Sequence, residues 1–180
     1  GMSTGGALPR VLLCTGNAHK VRELAAMLEG TADVVRPADL GLSINVDETE
    51  ETFEGNALLK AHAGFRASGL VTVADDSGLC VDALGGAPGV HSARFAERAV
   101  IAVVAPGHEP RTFRGEVHGA IGHGARGGHG FGYDPLFVLP DGRAMAELPE
   151  KEKNALSHRG RALEKARPHL LTVLHAGMRA

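Results

Sequence analysis

Residues 11–20 read VLLCTGNAHK and define the first structural unit of the chain. The apolar run at the start is typical of a short buried strand, and the apolar spacing from His19 to Glu29 is typical of a helix. Asn17 is a typical N-cap residue for that helix, and Gly30 is a typical C-terminal stop. A strand, a tight polar turn and a helix in this order predict one β-α unit of an α/β fold.

The polar turn of this unit carries residues suited to bind a phosphate. Free backbone N–H groups at a helix N-terminus favour an anion, as does the helix dipole. Lys20 adds a full positive charge in the first turn, although no Walker sequence G-x-x-x-x-G-K-[ST] occurs in the chain. We therefore predict a phosphate-binding turn from Thr15 to Lys20. An ordinary capped helix with a surface lysine is the alternative.

The rest of the chain continues the alternation of strands and helices. Apolar spacing predicts a helix over residues 53–67 and a C-terminal helix that carries Leu163 and Leu174 and ends at Gly177. Short apolar or alternating runs predict strands at 70–74, 100–104, 112–121 and 136–139. The second half has the pattern of antiparallel strands, so we predict an α/β fold with a mixed sheet flanked by helices.

Length and composition limit the function classes. The 180 residues fit one domain or two closely joined lobes, and the net charge of −2 gives no basic field for a nucleic acid. The longest purely apolar run, residues 99–105, is far shorter than the roughly 18 residues that a membrane span needs. Cys14 and Cys80 form no C-x-x-C motif, which favours reduced thiols over a disulfide. We therefore expect a cytoplasmic protein with neither a nucleic acid nor a membrane as partner.

Adjacent carboxylates follow the predicted strand at 70–74. Asp75 and Asp76 repel each other unless a cation or hydrogen-bond donors compensate their charges. Mg²⁺ is typically held by one or two carboxylates plus substrate phosphates, and Glu48 offers a further carboxylate in an acidic run. An Asx-turn that caps the next segment is the alternative for the pair. Lys60 either lies along a packed helix face or reaches into a cleft.

Two later segments carry groups suited to a nucleobase. In GFGYDP, residues 130–135, an aromatic ring between glycines can stack on a planar ligand while Asp134 accepts hydrogen bonds from ring N–H groups. In KNALSHRGR, residues 153–161, several donors fall in two turns between predicted helices. A turn with a core phenylalanine and a basic surface turn are the respective alternatives.

Together these segments resemble the inosine triphosphate pyrophosphatase family. The matching motifs run in the family's order over nearly the whole chain: T-G-N-x-x-K at 15–20, T-F-x-x-N-A-x-x-K-A at 52–61, A-D-D-S-G-L-x-V-x-A-L-G-G-A-P-G-V-x-S-A-R at 74–94, G-F-G-Y-D-P-x-F at 130–137 and E-K-N-A-L-S-H-R-G-x-A-L at 152–163. The resemblance implies a single elongated domain over residues 1–180, with two α/β lobes around a nucleotide cleft. It also implies Mg²⁺ as cofactor, a homodimer, and hydrolysis of ITP, dITP and XTP to the monophosphate and pyrophosphate.

The resemblance also implies roles for individual residues. Asp76 takes the place of the catalytic carboxylate, which is metal ligand and proton acceptor, and Asp75 and Glu48 are further metal-side carboxylates. The implied substrate contacts come from Thr15, Gly16, Asn17, Ala18, His19, Lys20, Lys60, Ser77, Phe131, Gly132, Tyr133, Asp134, Lys153, His158 and Arg159.

Selectivity for these substrates has a physical basis in the purine 6-position. Hypoxanthine and xanthine present a 6-oxo acceptor there, whereas adenine presents a 6-amino donor. If His158 or Arg159 donates to that oxygen, ATP brings a donor against a donor. An unmade buried hydrogen bond costs about 1–3 kcal/mol, which predicts roughly ten- to hundredfold discrimination.

Two departures from the family pattern bear on the site and the fold. Gly55 stands where the family usually has a glutamate before Asn-Ala, so one carboxylate near the site is expected to be missing. After Ala96 the family usually continues through a further helix, and some 20–30 residues are lacking here. We expect either a shortened member of the family or a mobile segment that is missing from this sequence. Gly1 has the appearance of a tag remnant before Met2.

Other functions remain open at this point. A nucleotide-binding sensor would keep the phosphate turn without hydrolysis, but it would be expected to lose the pair Asp75–Asp76. The septum-associated nucleotide pyrophosphatases share the reaction and act on other nucleotides, whereas the sequence Ser157-His158-Arg159 favours the purine family. An RNA-binding module is disfavoured by the charge and by the scarcity of aromatic residues.

Overall fold

The computed structural model describes residues 7–82, 94–121, 137–138 and 158–178. In chain order these residues form β1 (Arg10–Leu13), α1 (Ala18–Met27), β2 (Asp33–Val35), a 3₁₀ helix (Pro37–Leu40), α2 (Phe53–Ser68), β3 (Val71–Asp82), β4 (Arg94–Val104), β5 (Arg111–Ile121), β6 (Phe137–Val138) and α3 (His158–Met178).

The strands form one mixed sheet. Within the described residues it has six strands in the order β2-β1-β3-β4-β5-β6. β1 is parallel to both neighbours, with Val11 opposite Val34 on β2 and opposite Val71 on β3. β5 and β6 are antiparallel, with Ile121 opposite Phe137. The prediction of an α/β fold with an antiparallel part in the second half is therefore confirmed.

The ends of the first helix follow local hydrogen bonding. Asn17 caps α1, because its Oδ1 accepts from the backbone N–H of His19 at 2.9 Å and of Lys20 at 3.4 Å. The predicted end at Glu29 is wrong by two residues. Beyond Met27 the chain folds into a turn in which the N–H of Thr31 donates to the Leu28 carbonyl at 2.9 Å.

Two strands are longer than predicted. β3 does not end at Ala74 but continues through Asp75 and Asp76 to Asp82. Its sheet neighbours are β1 and the 11-residue β4, so a long partner strand overrides the low strand propensity of Asp, Ser and Gly. β4 begins at Arg94 and runs through Ala96 and Val100 without a break, so no helix separates these residues.

The chain divides into two compact units. The first contains residues 1–76, 100–113 and 163–180, and the second contains residues 77–99 and 114–162. In the first unit the buried residues Ala57 and Ala61 of α2 pack with Ala74 of β3 and with Val100 and Val104 of β4. The apolar stripe of α3 is buried as predicted, with Leu163, Ala166, Leu170 and Leu174 at most 6% exposed. Among the described residues, no helix has the length and apolar character needed to cross a bilayer.

Candidate active site

The turn between β1 and α1 uses most of its N–H groups internally. The Asn17 N–H donates to Thr15 Oγ1 at 3.1 Å, and the N–H groups of His19 and Lys20 donate to the Asn17 side chain. The expectation that this turn offers free N–H groups is therefore wrong for these three residues, because the side-chain oxygens of Thr15 and Asn17 already accept from them. Gly16 and Ala18 are exposed in the same turn. What the turn offers an anion is chiefly its position and the charge of Lys20.

Lys20 lies against a buried carboxylate. Its Nζ is 2.8 Å from Asp75 Oδ2, and the Asp75 side chain is only 5% exposed. A buried carboxylate needs a partner of opposite charge or several hydrogen bonds, and Lys20 supplies the opposite charge together with one hydrogen bond. This pair joins the end of the phosphate turn to β3, although 55 residues separate the two side chains in sequence.

Lys60 is the centre of a second group of charges. Its Nζ lies 2.7 Å from Glu48 Oε1 and 3.6 Å from Asp76 Oδ1, and it donates to the Asp75 carbonyl at 3.0 Å. Ala57 on the same helix is fully buried, yet the Lys60 side chain reaches the carboxylates instead of lying along the packed face. Of the two alternatives for Lys60, the structure has the one that reaches toward the predicted site.

The charge state of Lys60 follows from these neighbours. Burial lowers the pKa of the Lys60 amine. The hydrogen bond to Glu48 and the negative charges of Asp76, Glu48 and Asp75 raise the pKa, and together they outweigh the effect of burial. The net pKa of Lys60 lies above its ordinary value, so the amine is a cation throughout the neutral range.

Asp75 and Asp76 point to different partners because they are consecutive strand residues. Side chains alternate between the two faces of a strand, and here Asp75 contacts Lys20 whereas Asp76 contacts Lys60. The Asp76 side chain is 13% exposed and Glu48 is 47% exposed, so these two carboxylates are more accessible than Asp75. Within the described part of the chain, no three His, Cys, Asp or Glu side chains form a ready-made metal cluster.

A cavity of about 440 Å³ opens beside these residues in the first unit. Thr15, Gly16 and Lys60 line one part of it, and the half-buried Leu42, Ile44 and Val46 line another. This volume lies within the range of small-molecule sites. The phosphate turn and Lys60 therefore face a common space.

Glu50 occupies the place that Gly55 leaves open. A Cβ at residue 55 would lie 2.7 Å from the Glu50 Cβ, so no larger residue fits there without movement. Asn56 holds Glu50 in place through two hydrogen bonds, one from the Glu50 N–H to Oδ1 at 3.0 Å and one from Nδ2 to the Glu50 carbonyl at 3.2 Å. The side chain of Glu50 thus covers Gly55, the position where the family usually has a glutamate. This contact was not predicted from the sequence.

The predicted base-side residues are described in part. Phe131, Gly132, Tyr133, Asp134 and Lys153 lie outside the described residues. Ser77 is an exposed residue of β3. His158 and Arg159 are half-buried and lie in the first turn of α3, not in a turn between helices as predicted.

The first turn of α3 rests directly on β5. A Cβ at Gly115 would overlap the His158 carbonyl and the Ala162 nitrogen, so only glycine allows this close approach. On β4, the buried Glu97 places Oε2 3.0 Å from Nδ1 of His158. Sequence reasoning missed Glu97, since no local pattern indicates which helix will cover a given strand.

Comparison with known families adds to this geometry. The sequence model of the Ham1 family matches residues 11–100 and 96–169, which together span most of the chain. The chain belongs to the Ham1 family.

Individual relatives of this Ham1 chain agree with that assignment. A dITP/XTP pyrophosphatase of Symbiobacterium thermophilum is 43% identical over 194 positions, which cover 93% of this chain and 98% of the relative. Among solved structures, a Ham1 protein from Staphylococcus aureus has a TM-score of 0.78 at 31% identity, covering 89% of this chain and 97% of the other. A HAM1 protein from Coxiella burnetii has a TM-score of 0.77 at 32% identity, covering 91% and 98%. The family resemblance drawn from the motifs and the predicted fold class are confirmed.

The two matched segments of the Ham1 model overlap at residues 96–100. This is where the motifs predict a shortened segment, and it is where β4 runs on as one strand. Glu97 lies inside this overlap. The absence of a longer segment at this point stays a prediction.

Proposed function

We propose that this Ham1 chain is a nucleoside triphosphate pyrophosphatase that hydrolyses ITP, dITP and XTP to the nucleoside monophosphate and pyrophosphate. The observation that carries the proposal is the meeting of Lys20 and Lys60 with Asp75, Asp76 and Glu48 beside the phosphate turn. The relatives named dITP/XTP pyrophosphatases, at 39–45% identity over most of the chain, support the same reaction. Its use is to keep deaminated purines out of DNA and RNA.

The lysines bind and orient the triphosphate. Their ammonium groups act as compact positive charges, and in the absence of substrate the carboxylates neutralise them. When phosphate oxygens approach, Lys60 exchanges its contact with the exposed Glu48 for a contact with phosphate. Lys20 stays fixed by the buried Asp75 and keeps the turn in register with β3. Negative charge that develops on the pyrophosphate leaving group is then stabilised by groups already in place.

Asp76 is the proposed catalytic carboxylate. Its side chain is partly exposed and contacts Lys60 only at 3.6 Å, so it has lone pairs available to orient a water and to accept its proton. The water oxygen bonds to the α-phosphorus, and the bond from that phosphorus to the bridging oxygen of the β-phosphate breaks. The pyrophosphate takes the electron pair of the broken bond.

The carboxylates also fit a divalent cation. Mg²⁺ is usually held by one or two carboxylates plus substrate phosphates. Asp76 and Glu48 would hold it, because Asp75 is already buried against Lys20. Bound there, Mg²⁺ would supply charge neutralisation for the triphosphate.

The proposal includes a homodimer and a cytoplasmic location, where nucleoside triphosphates are found. Support for the dimer comes from the motif resemblance. Light scattering of the purified protein tests it, with twice the 18.7 kDa chain mass as the expected result.

A substrate panel tests the function. The purified chain is incubated with ITP, dITP, XTP, GTP and ATP, each with Mg²⁺ and with EDTA, and the products are separated by ion-exchange chromatography. We expect monophosphate and pyrophosphate from ITP, dITP and XTP only when Mg²⁺ is present, with ATP and GTP largely spared. Tight binding of ITP without turnover would instead favour the sensor, and preference for other nucleotides would favour the septum-associated type.

A further inference from the structure

Glu97 is a buried carboxylate that the proposed reaction does not use. The residue is 7% exposed and lies on β4 within the second unit. Because a buried carboxylate is costly unless a partner compensates it, its surroundings indicate what it does. The charged group next to it is the imidazole of His158, 3.0 Å from Oε2.

The His158 ring is partly buried, with its Nδ1 atom shielded from solvent. Nδ1 is shielded from solvent and has no hydrogen bond of good angular geometry, and the carboxylate of Glu97 is the acceptor at ion-pair distance from it. About a fifth of the His158 side chain remains accessible. Because Nδ1 is shielded, Nε2 is the ring nitrogen that remains for a ligand.

The charges next to Glu97 on these strands lie on the opposite face, whereas Arg111 lies on the α3 face beside His169, farther along that helix. Side chains alternate along a strand, so Glu97 and Gly115 share the face under α3, while Arg98 and Glu116 share the other. Arg98 and Arg114 both contact Glu116, at 3.1 Å and 3.5 Å, which agrees with this division. Among the described strand residues, Glu97 is therefore the charged group that faces His158.

A carboxylate beside Nδ1 decides where a neutral imidazole carries its proton. A bare Nδ1 would set a lone pair against the negative oxygen, whereas an Nδ1–H can donate to it, and the bond at one ring nitrogen fixes the state of the other. We propose that Glu97 is a positioning residue that keeps the proton of neutral His158 on Nδ1 and leaves Nε2 as a hydrogen-bond acceptor for the N1–H of a 6-oxopurine. This inference rests on the proposed function, because it needs His158 to contact the base.

The arrangement gives two checks on the base instead of one. Hypoxanthine and xanthine carry a hydrogen on N1 and an acceptor oxygen at position 6, whereas adenine carries a lone pair on N1 and an amino group at position 6. Nε2 of His158 then accepts from N1–H, and Arg159 donates to the oxygen. With adenine, the lone pair of N1 would face the lone pair of His158 Nε2, and the 6-amino donor would face the Arg159 donor.

The test combines spectroscopy with kinetics on the full chain. The ¹⁵N shifts of the His158 ring report the tautomer without substrate, and kcat/KM for ITP and for ATP reports the selectivity. We compare the wild type with Glu97→Leu, which removes the acceptor, and with Glu97→Gln, whose amide oxygen can still accept from Nδ1–H. Glu116→Gln is the matched control, because it removes a carboxylate from the other face of the same strand pair.

We expect the Nδ1–H tautomer in the wild type and in Glu97→Gln, and a shift to Nε2–H in Glu97→Leu. The ratio of kcat/KM for ITP over ATP should fall about tenfold or more in Glu97→Leu, the size expected for one mispaired hydrogen bond, with most of the change in KM for ITP. Glu116→Gln should keep both the tautomer and the ratio. An Nε2–H tautomer in the wild type, or an unchanged ratio in a folded Glu97→Leu, would overturn the inference. A wild type that does not hydrolyse ITP would overturn the proposed function, and the tautomer measurement separates the two failures.

Discussion

Two lysine–carboxylate groups stand close together in the first unit and differ in how firmly their charges are enclosed. In the pair Lys20–Asp75 the carboxylate is 5% exposed and lies 2.8 Å from its partner. In the group formed by Lys60, Glu48 and Asp76, one amine is shared by two carboxylates, of which Glu48 is 47% exposed. We call the first the closed pair and the second the open group. In our proposal the closed pair holds the turn at residues 15–20 against β3, and the open group exchanges its partners for a nucleotide.

The open group should carry the chemistry, and Asp76 is its sharpest test. Asp76→Asn removes the proton acceptor while keeping the size of the side chain, so we expect kcat for ITP to fall by about 10²–10⁴-fold. Nucleotide binding, measured by calorimetry, should persist. Turnover close to that of the wild type would remove Asp76 from its proposed role.

Lys60 should matter for binding more than for stability. Lys60→Met removes the cation that the proposal places on the phosphates, and we expect kcat/KM for ITP to fall about 10- to 100-fold, as for a lost hydrogen bond to a charged group. Lys60→Arg keeps the charge and should recover part of the loss. If Lys60→Met changed only the unfolding temperature, the exchange of partners at this lysine would be disproved.

The closed pair should respond in the opposite way. Asp75→Asn keeps one hydrogen bond to Lys20 but removes the charge, so we expect the free energy of unfolding to drop by about 1–2 kcal/mol. Urea unfolding measures it. Asp39→Asn is the control, because the Arg36–Asp39 ion pair is exposed on both sides and should contribute little. Equal losses of unfolding free energy in Asp75→Asn and Asp39→Asn would show that burial of the Lys20–Asp75 pair adds nothing to stability.

A substitution at Gly55 tests how tightly Glu50 packs against helix α2. Gly55→Ala places a methyl group against Glu50, and we expect a loss of about 1 kcal/mol or more in unfolding free energy, the usual cost of overpacking. The double variant Glu50→Gly with Gly55→Ala relieves the overlap and should recover most of that loss. Failure of the second change to recover stability would show that the glycine is needed for another reason.

A smaller pH effect is expected in the same unit, away from the carboxylates. Burial lowers the pKa of His169 from its ordinary value of 6.5, and the charges of Arg111 and His108 lower it further. The unfolded chain then binds a proton at a higher pH than the folded chain, so stability is present above about pH 6.5 and is lost as the pH falls through the lowered pKa. Urea unfolding between pH 8 and 5 should show this loss, and His169→Gln should reduce it. If His169→Gln lost as much stability between pH 8 and 5 as the wild type, the pH dependence would come from other groups.

The sequence alone predicted the elements whose signals are local. Asn17 as a cap and the apolar stripe of α3 depend on residues a few positions apart, and the structure has both. The short strand β2 and the 3₁₀ helix were not predicted. The bounds of β3 could not be predicted, because the partner strand β4 decides that Asp75 and Asp76 stay in the sheet.

The same limit applies to the site. The motifs indicated Lys20, Lys60 and the two aspartates, but which lysine meets which carboxylate depends on contacts between distant parts of the sequence, 55 residues apart for Lys20 and Asp75. Glu97 carried no motif, and Glu50 was only one member of an acidic run. Their neighbours, His158 beside Glu97 and Gly55 beside Glu50, come together only in the folded chain.

In the proposed reaction a water attacks the α-phosphorus and pyrophosphate is released. Hydrolysis of ITP by the wild type in ¹⁸O-labelled water, with both products analysed by mass spectrometry, tests it most directly. We expect one ¹⁸O atom in the inosine monophosphate and none in the pyrophosphate. Label in the pyrophosphate, or release of inosine diphosphate and phosphate, would contradict it.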